Sequence, residues 1–389
     1  MVISPMPSFL PLAKGIEPWP AGSPGILEKA RLESLLDNVY FTETSPMAEK
    51  TPPVLLEGES LRKGSRELRA RLTNLYFGVL EKGRVVAPPV AVINRHADIL
   101  GDISIDWRHP RRNHKYRGWK WVRDPLFLPG KSLCLAATGA ETFFHLVFDS
   151  LSRIWLAERA GFSLRDFDQL IVQQDTPLLR RFLEILGGSG PKLVDLSKIR
   201  HVVGEHLFVG SYQSAPGHYH PEYLQWLRVR VRKFLSSQEN CADQRVLLLS
   251  RSLAGSRRLL NEGEVIRAFP PGSVLSVALE KLSLDQQLGL FTRARAVVAP
   301  HGGGLTHLAW VSAGTPVLEL FPQNFFNSCY WELASSVGAR YGCLEGRSEG
   351  SARGANRNFT ISPDLVRSSF FRLAENILSD PPSFTGGAG

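Results

Sequence analysis

Apolar and polar positions along the chain fall into two stretches of alternating short and longer runs. In the first stretch, residues 144–160 carry apolar side chains at helical spacing and end at Gly161. Leu170-Ile171-Val172 reads as a buried strand and residues 178–186 as a second helix, closed by Gly187-Gly188. His206-Leu207-Phe208-Val209 reads as another short strand. Residues 221–236 predict a long amphipathic helix opening on proline, a favoured first helical residue. The second stretch starts at Val246. Strands at 246–249, 274–277, 296–299 and 317–320 alternate with helices at 262–269, 283–294 and 305–312. A terminal helix follows over 363–378, with Ser362 as its N-cap. Strands alternating with helices predict parallel, doubly wound sheets. The expectation is an α/β protein of two Rossmann-like domains facing a cleft, with the polar residues 237–244 between them.

Upstream the pattern is weaker. Residues 1–50 are rich in Pro, Ser and Gly and read as a loose arm. Residues 54–130 mix strand-like runs with basic loops, and one strand begins after the prolines of Ala87-Pro88-Pro89-Val90-Ala91-Val92-Ile93. From Arg108 to Arg123 runs a basic-aromatic loop with Trp119 and Trp121. It suits a solvated surface loop; it also suits contact with a sugar or an acid, because indole faces stack on pyranose rings and arginine pairs with acids.

Charge narrows the partner. Lys and Arg number 46 against 37 Asp and Glu, a formal net charge of +9. The excess is scattered arginines, not a basic tail, so it suits a nucleotide, an acidic glycan or an anionic membrane face more than nucleic acid. The four cysteines, Cys134, Cys241, Cys329 and Cys343, lie far apart, with no C-x-x-C pair. They indicate neither a zinc site nor a disulfide framework, and a reducing compartment is expected. The first basic residue is Lys14 and prolines interrupt the N-terminal stretch, so no signal peptide is expected. No apolar run reaches membrane-spanning length.

The candidate chemistry centres on Val297-Val298-Ala299-Pro300-His301-Gly302-Gly303-Gly304-Leu305, where an apolar strand meets three glycines and a new helical segment. Glycines there let a ligand approach the backbone, and the amides of a helix start attract anions, phosphate above all. In an open α/β sheet ligands sit beyond the carboxyl ends of the strands. Three features fall at such ends: Ser250-Arg251, with Arg257, Arg258, Asn261 and Glu262 downstream; His301 with its glycines; and Glu319. Arg251 or Arg258 can neutralise a diphosphate, and Glu319 can accept hydrogen bonds from ribose hydroxyls. In the first stretch His145, Asp149 and Arg153 fall at i, i+4 and i+8, one stripe of a helix, with Val147, Phe148, Leu151, Ile154 and Trp155 on the buried face. Such a stripe offers a general base and an anion partner, or a plain solvated salt-bridge ladder.

Weaker signals are set aside. Asp166-Phe167-Asp168 has the metal-binding D-x-D form but precedes a strand instead of ending one. His218-Tyr219-His220 has no cysteine nearby and only Glu222 as carboxylate. Gly346-Arg347-Ser348-Glu349-Gly350 matches G-x-S-x-G, and His301-Gly302-Gly303-Gly304 resembles an esterase oxyanion loop. No histidine follows His307, however, so the Ser, Asp, His order of that hydrolase class cannot be completed.

Taken in order, these residues resemble glycosyltransferase family 61, a group often labelled capsular polysaccharide biosynthesis proteins. The resemblance spans roughly residues 140–342. Its elements are Phe144-His145-Leu146-Val147-Phe148-Asp149 with Arg153; Leu249-Ser250-Arg251; Arg258; Asn261-Glu262; Glu280-Lys281-Leu282-Ser283 with Gln286, Gln287 and Phe291; Pro300-His301-Gly302-Gly303-Gly304-Leu305-Thr306; Gly314-Thr315-Pro316-Val317-Leu318-Glu319-Leu320; and Tyr330-Trp331 with Tyr341. The chain departs from the family at His307, where asparagine is usual, and at Leu151-Ser152-Arg153, where many members read Leu-Pro-Arg. The resemblance implies a GT-B architecture and an inverting mechanism without an obligatory metal. It implies no cofactor, and a UDP-sugar as the expected donor. His145 or Asp149 would be the base, with Arg153 in support. Arg251, Arg258, Asn261, Glu262, His301, Gly302, Gly303, Gly304, Leu305, Thr306 and Glu319 would bind the donor. On this division residues 1–50 are an arm, 51–240 an acceptor-side domain and 241–389 the nucleotide-sugar domain, whose terminal helix can pack back on the first domain. The acceptor would be a glycan or a lipid-linked glycan in the bacterial cytosol or at the inner membrane. The alternative is a non-catalytic nucleotide or glycan binder on the same scaffold.

Overall fold

A computed structural model describes residues 35–43, 47–49, 51–57, 69–71, 74–105, 124–188, 190–213, 218–235, 245–349 and 356–374. The basic-aromatic loop, the polar linker, Cys241 and most of the N-terminal arm lie outside these residues. The chain divides into two compact units, Met1–Ala48 with Ala70–Phe234, and Glu49–Arg69 with Leu235–Gly389. Residues 49–69 therefore group with the second unit. Among the described residues no helix is long and apolar enough to cross a membrane.

The first unit is built on an eight-stranded sheet. Its strands are β1 (Asn38–Glu43), β2 (Leu75–Glu81), β3 (Arg84–Val86), β4 (Ala91–Ile93), β5 (Leu126–Cys134), β6 (Gln169–Val172), β7 (Lys192–Asp195) and β8 (His201–Gly210). The order is β1-β2-β8-β5-β6-β7, with β3 bridging β8 and β4. Strands β8, β5, β6 and β7 are parallel neighbours, but β1, β2, β3 and β4 pair antiparallel. The expected all-parallel sheet thus holds for only half of this unit. The part of the N-terminal arm at Asn38–Glu43 is a sheet strand, not loose chain. One face buries Tyr76, Leu80, Val92, Ile171, Val202 and Leu207 together. The helical elements are the run 143–159, ending in α1 (Ser152–Arg159), then α2 (Pro177–Ile185) and α3 (Pro221–Leu235). The Thr176 hydroxyl caps α2 by accepting from the Leu179 amide.

The second unit is a six-stranded, fully parallel sheet. Its strands are β9 (Val246–Leu249), β10 (Val274–Val277), β11 (Ala296–Pro300), β12 (Pro316–Phe321) and β13 (Arg340–Glu345), joined by the strand Leu55–Glu57. The spatial order is β10-β9-β11-β12-β13, and Leu55–Glu57 lies along the outer edge of β13. Such strands read as near-continuous apolar runs because both faces are covered. Every residue of β11 and of β12 is buried. On one face α4 (Glu262–Arg267) and α7 (Pro363–Ala374) bury Val265, Val366, Phe370 and Leu373 against Val298, Leu318 and Leu320. Further helices of this unit include α5 (Leu284–Thr292), a 3₁₀ helix at Gly303–Trp310 and α6 (Cys329–Ser336). The Ser283 hydroxyl and the Gln286 side chain form a reciprocal capping box on α5.

Candidate functional site

In the second unit the chain order of the sheet reverses between β9 and β11, which makes that gap the topological switch point, where α/β sheets bind ligands. Arg251 leaves the carboxyl end of β9 and His301 leaves that of β11. The loop runs through Gly302, extended at φ 171°, into the 3₁₀ helix, not into an α-helix. The Leu305 amide closes the first turn on the Gly302 carbonyl, which leaves the amides of Gly303 and Gly304 ahead of it. Gly303 is exposed, Gly304 half-buried and Gly302 buried.

Gly302 has a steric reason to be glycine. A Cβ there would lie 2.0 Å from Arg251 Nη1 and 2.8 Å from its Cζ. The Arg251 guanidinium is anchored by two hydrogen bonds, from Nε and Nη2 to the Ser256 carbonyl, at 3.2 and 3.0 Å. Arg257, in a left-handed backbone conformation at φ 54°, donates from Nε to the His301 carbonyl at 3.0 Å. Burial lowers the pKa of both arginines, and Arg257 repels Arg251 further. Two guanidinium groups so placed at one glycine loop favour an anion between them.

His301 is held inward. Its Nδ1 meets Glu319 Oε1 at 2.5 Å, and its ring packs against Phe321, Phe325 and Tyr330. Tyr341 donates its phenol to Glu319 Oε2. Glu319 is 0% exposed with both oxygens engaged, so it orients His301 instead of presenting itself to ribose hydroxyls. The cause is register: Leu318 and Leu320 occupy the α7 side of β12, which turns Glu319 to the opposite, equally covered face.

The other expected donor residues make contacts within the protein or lie on its surface. Leu305 and Thr306 are 0% exposed, and the Thr306 hydroxyl lies beside the Tyr330 phenol. Asn261 bonds both the amide and the carbonyl of Ile361, and Glu262 accepts from Ser276. Arg258 is exposed and its backbone pairs with Asn358 and Phe359, where the chain forms a small sheet of β14 (Arg347–Glu349) and β15 (Asn358–Thr360). Arg257, not Arg258, reaches the loop. Nothing in the Arg257-Arg258 pair distinguishes the two by sequence.

In the first unit His145 and Asp149 come together as their spacing predicts: His145 Nδ1 lies 2.6 Å from Asp149 Oδ2. Burial disfavours the charged imidazole, but the Asp149 bond and charge, with Glu141, outweigh it and raise the His145 pKa. The ring edge faces Gly139, whose φ is 92°; a Cβ there would lie 2.7 Å from His145 Cδ2. This side chain is held from two directions.

The helix carrying this pair is not the amphipathic one expected. Phe143–His145 is one α turn, Leu146–Ser150 is a π turn, and α1 follows. The Leu151 amide bonds the Leu146 carbonyl instead of the Val147 carbonyl, and the Tyr223 phenol of α3 takes up the latter. Every residue from Leu146 to Ala157 is buried, so no solvated stripe exists. Arg153 is 1% exposed and binds the carbonyls of Cys134 and Ala136 instead of extending the His145–Asp149 pair.

The weaker signals prove local. Asp166 closes a capping box with Ser163, and Asp168 accepts from the Lys131 amide. Tyr219 packs on Phe148, while His220 is buried beside Trp155. Ser348 lies on β14, in the small antiparallel sheet with β15.

Residues 143–318 match the family model described as Glycosyltransferase 61, so the resemblance read from the motifs is shown for this stretch. Over 102 residues the chain is 31% identical to the EGF domain-specific O-linked N-acetylglucosamine transferase of Gallus gallus, covering 25% of this chain and 19% of that protein. The Drosophila melanogaster protein of the same name is 32% identical over 106 residues, covering 26% of this chain and 20% of that one. The chain thus matches about a fifth of the length of these relatives. Among solved structures, E. coli heptosyltransferase WaaC with ADP aligns over 64% of this chain and 100% of that chain, at 11% identity and a TM-score of 0.27.

Proposed function

We propose that the protein is an inverting glycosyltransferase that moves a sugar from a nucleotide-sugar to a hydroxyl of a glycan acceptor. The observation that carries this reading is the glycine loop at the switch point of the parallel sheet, with the Arg251 guanidinium packed on Gly302 and Arg257 on the His301 carbonyl. The match to Glycosyltransferase 61 supports it, and a GT-B fold likewise has two α/β units. The donor diphosphate would lie on the amides of Gly303 and Gly304 between the two arginines. These would stabilise the leaving nucleotide without calling on a metal. His301, oriented by Glu319, would add a donor to the same oxygens.

The acceptor hydroxyl would lose its proton to His145. Asp149 engages Nδ1, which makes Nε2 the basic nitrogen, and the carboxylate stabilises the imidazolium as it forms. This division of labour supports His145 as the base over Asp149, two residues that spacing alone leaves equivalent. The acceptor oxygen would then attack the sugar carbon opposite the departing nucleotide.

The test is thermal unfolding of the full chain with UDP-, GDP-, CDP- and CMP-sugars. UDP-N-acetylglucosamine comes first, given the sugar named in the relatives. A ligand at a hundred times its dissociation constant stabilises by about 2.7 kcal/mol, a shift of several degrees at most. The Arg257→Ala variant should lose that shift and Arg258→Ala should keep it. His145→Ala should keep the shift and lose turnover by about 10²–10⁴-fold. No stabilisation by any nucleotide-sugar would overturn the donor assignment.

A further inference from the structure

Three consecutive carbonyls at the carboxyl end of β5 are all bound by side chains from the one helical run. Arg153 Nη1 donates to Cys134 O and Ala136 O, and Ser150 Oγ donates to Leu135 O between them. Beyond these carbonyls the chain continues through Ala137 and Thr138 to Gly139, the residue against which the His145 ring rests. The strand end, the turn under the imidazole and the helix that bears the imidazole are therefore one tied loop. Gly139 at φ 92° allows no other close fit there.

Arg153 is an expensive way to make such a tie. It is 1% exposed, and Nε and Nη2 find no hydrogen-bond partner among the described residues. Its guanidinium lies 5.3 Å from the centre of the Tyr212 ring. The half-buried carboxylate of Asp102 feels its charge; it accepts from the Tyr76 phenol at 2.6 Å and is not in ion-pair contact with Arg153. A buried cation of this kind is weak support for stability, since apolar side chains of similar volume usually serve as well. What an apolar side chain cannot do is hold two carbonyls of a strand end.

We infer that Arg153 is a positioning residue for the His145–Asp149 pair, acting through the strand end and Gly139 and not by pairing with Asp149. The inference rests on the assignment of His145 as the base under the proposed function, but its test does not need turnover. Asp149 and Glu141 act on the imidazole by charge, and the Phe144 ring meets it edge-on. If Arg153 holds His145 against Asp149, its loss loosens that contact and the imidazole becomes less basic. If Arg153 acts only by its charge, its loss makes the imidazole more basic. The two roles have opposite signs.

The experiment is a pH titration of ¹⁵N-histidine-labelled full chain by NMR, with His145 assigned from the His145→Gln spectrum. In Arg153→Met the His145 midpoint should fall toward the ordinary imidazole value, and Arg153→Lys should recover part of the fall. A folded Arg153→Met protein with an unchanged or raised midpoint would overturn the inference. Should that variant not fold, Ser150→Ala releases only the Leu135 carbonyl and carries the same expectation, with the same overturning result. No binding of any nucleotide-sugar by the wild type, together with the fall in Arg153→Met, would sink the transferase reading and leave the positioning role intact.

Discussion

His307 stands where the family pattern has asparagine, and its ring is locked from two sides. Nε2 meets Gln287 Oε1 at 2.7 Å and Nδ1 accepts from the Trp310 indole at 3.0 Å, which fixes the neutral tautomer. Burial lowers its pKa from 6.5 to about 3. Between those values the unfolded chain binds a proton that the folded chain refuses. The His307 contribution to stability is therefore intact above pH 6.5 and falls as pH drops toward 3, at about 1.4 kcal/mol per unit. Buried His220, also lowered, acts in the same sense. Urea unfolding between pH 6 and pH 4 should show a shallower acid loss in His307→Asn than in the wild type. The same scale shows what a sequence can specify. The i, i+4 spacing of His145 and Asp149 carries their contact because one turn of helix brings such residues together. The extension to Arg153 fails because a π turn intervenes and the β5 carbonyls draw the guanidinium inward. Glu319 was legible as a strand-end carboxylate, but not its direction, since that depends on which face α7 covers.

At the scale of elements, β9, β10, β11 and β12 of the second unit were readable from the sequence, while β13 and Leu55–Glu57 were not. Strands β11 and β12 are buried on both faces and appear as plain apolar runs. The first unit was harder to read. Strand β2 is buried over six of its seven residues, so it shows no alternation, and β5 contains Pro129-Gly130, which reads as a turn. Antiparallel pairing of β1, β2 and β8 leaves no local trace, because it depends on partners far along the chain. The π turn is equally silent in the sequence, and its upkeep falls to α3. Tyr223→Phe would strand the Val147 carbonyl in a buried setting, at a cost of about 1–3 kcal/mol. Denaturant unfolding should read that loss, with far-UV dichroism unchanged. An unaltered midpoint would mean the carbonyl has another partner.

For the whole molecule, the strand order of the second unit does more than its composition. The order β10-β9-β11-β12-β13 places a reversal of chain order beside Arg251 and His301, so the switch point follows from connectivity. The outer edge of β13 is closed by Leu55–Glu57, a segment far upstream in the chain, and the contact is reinforced by an Arg372–Glu57 ion pair at 3.3 Å. A fragment of residues 245–374 alone would present β13 as a bare edge, and bare edges template pairing between molecules. Light scattering should find that fragment self-associated at concentrations where the full chain is not. During synthesis the same arrangement imposes an order. The segment that finishes the sheet leaves the ribosome before any of the strands it will join, and must wait while residues 70–234 of the first unit are made. Completion of the second sheet is then a late, long-range closure, and its rate should be set by that distant return and not by the local helices and strands.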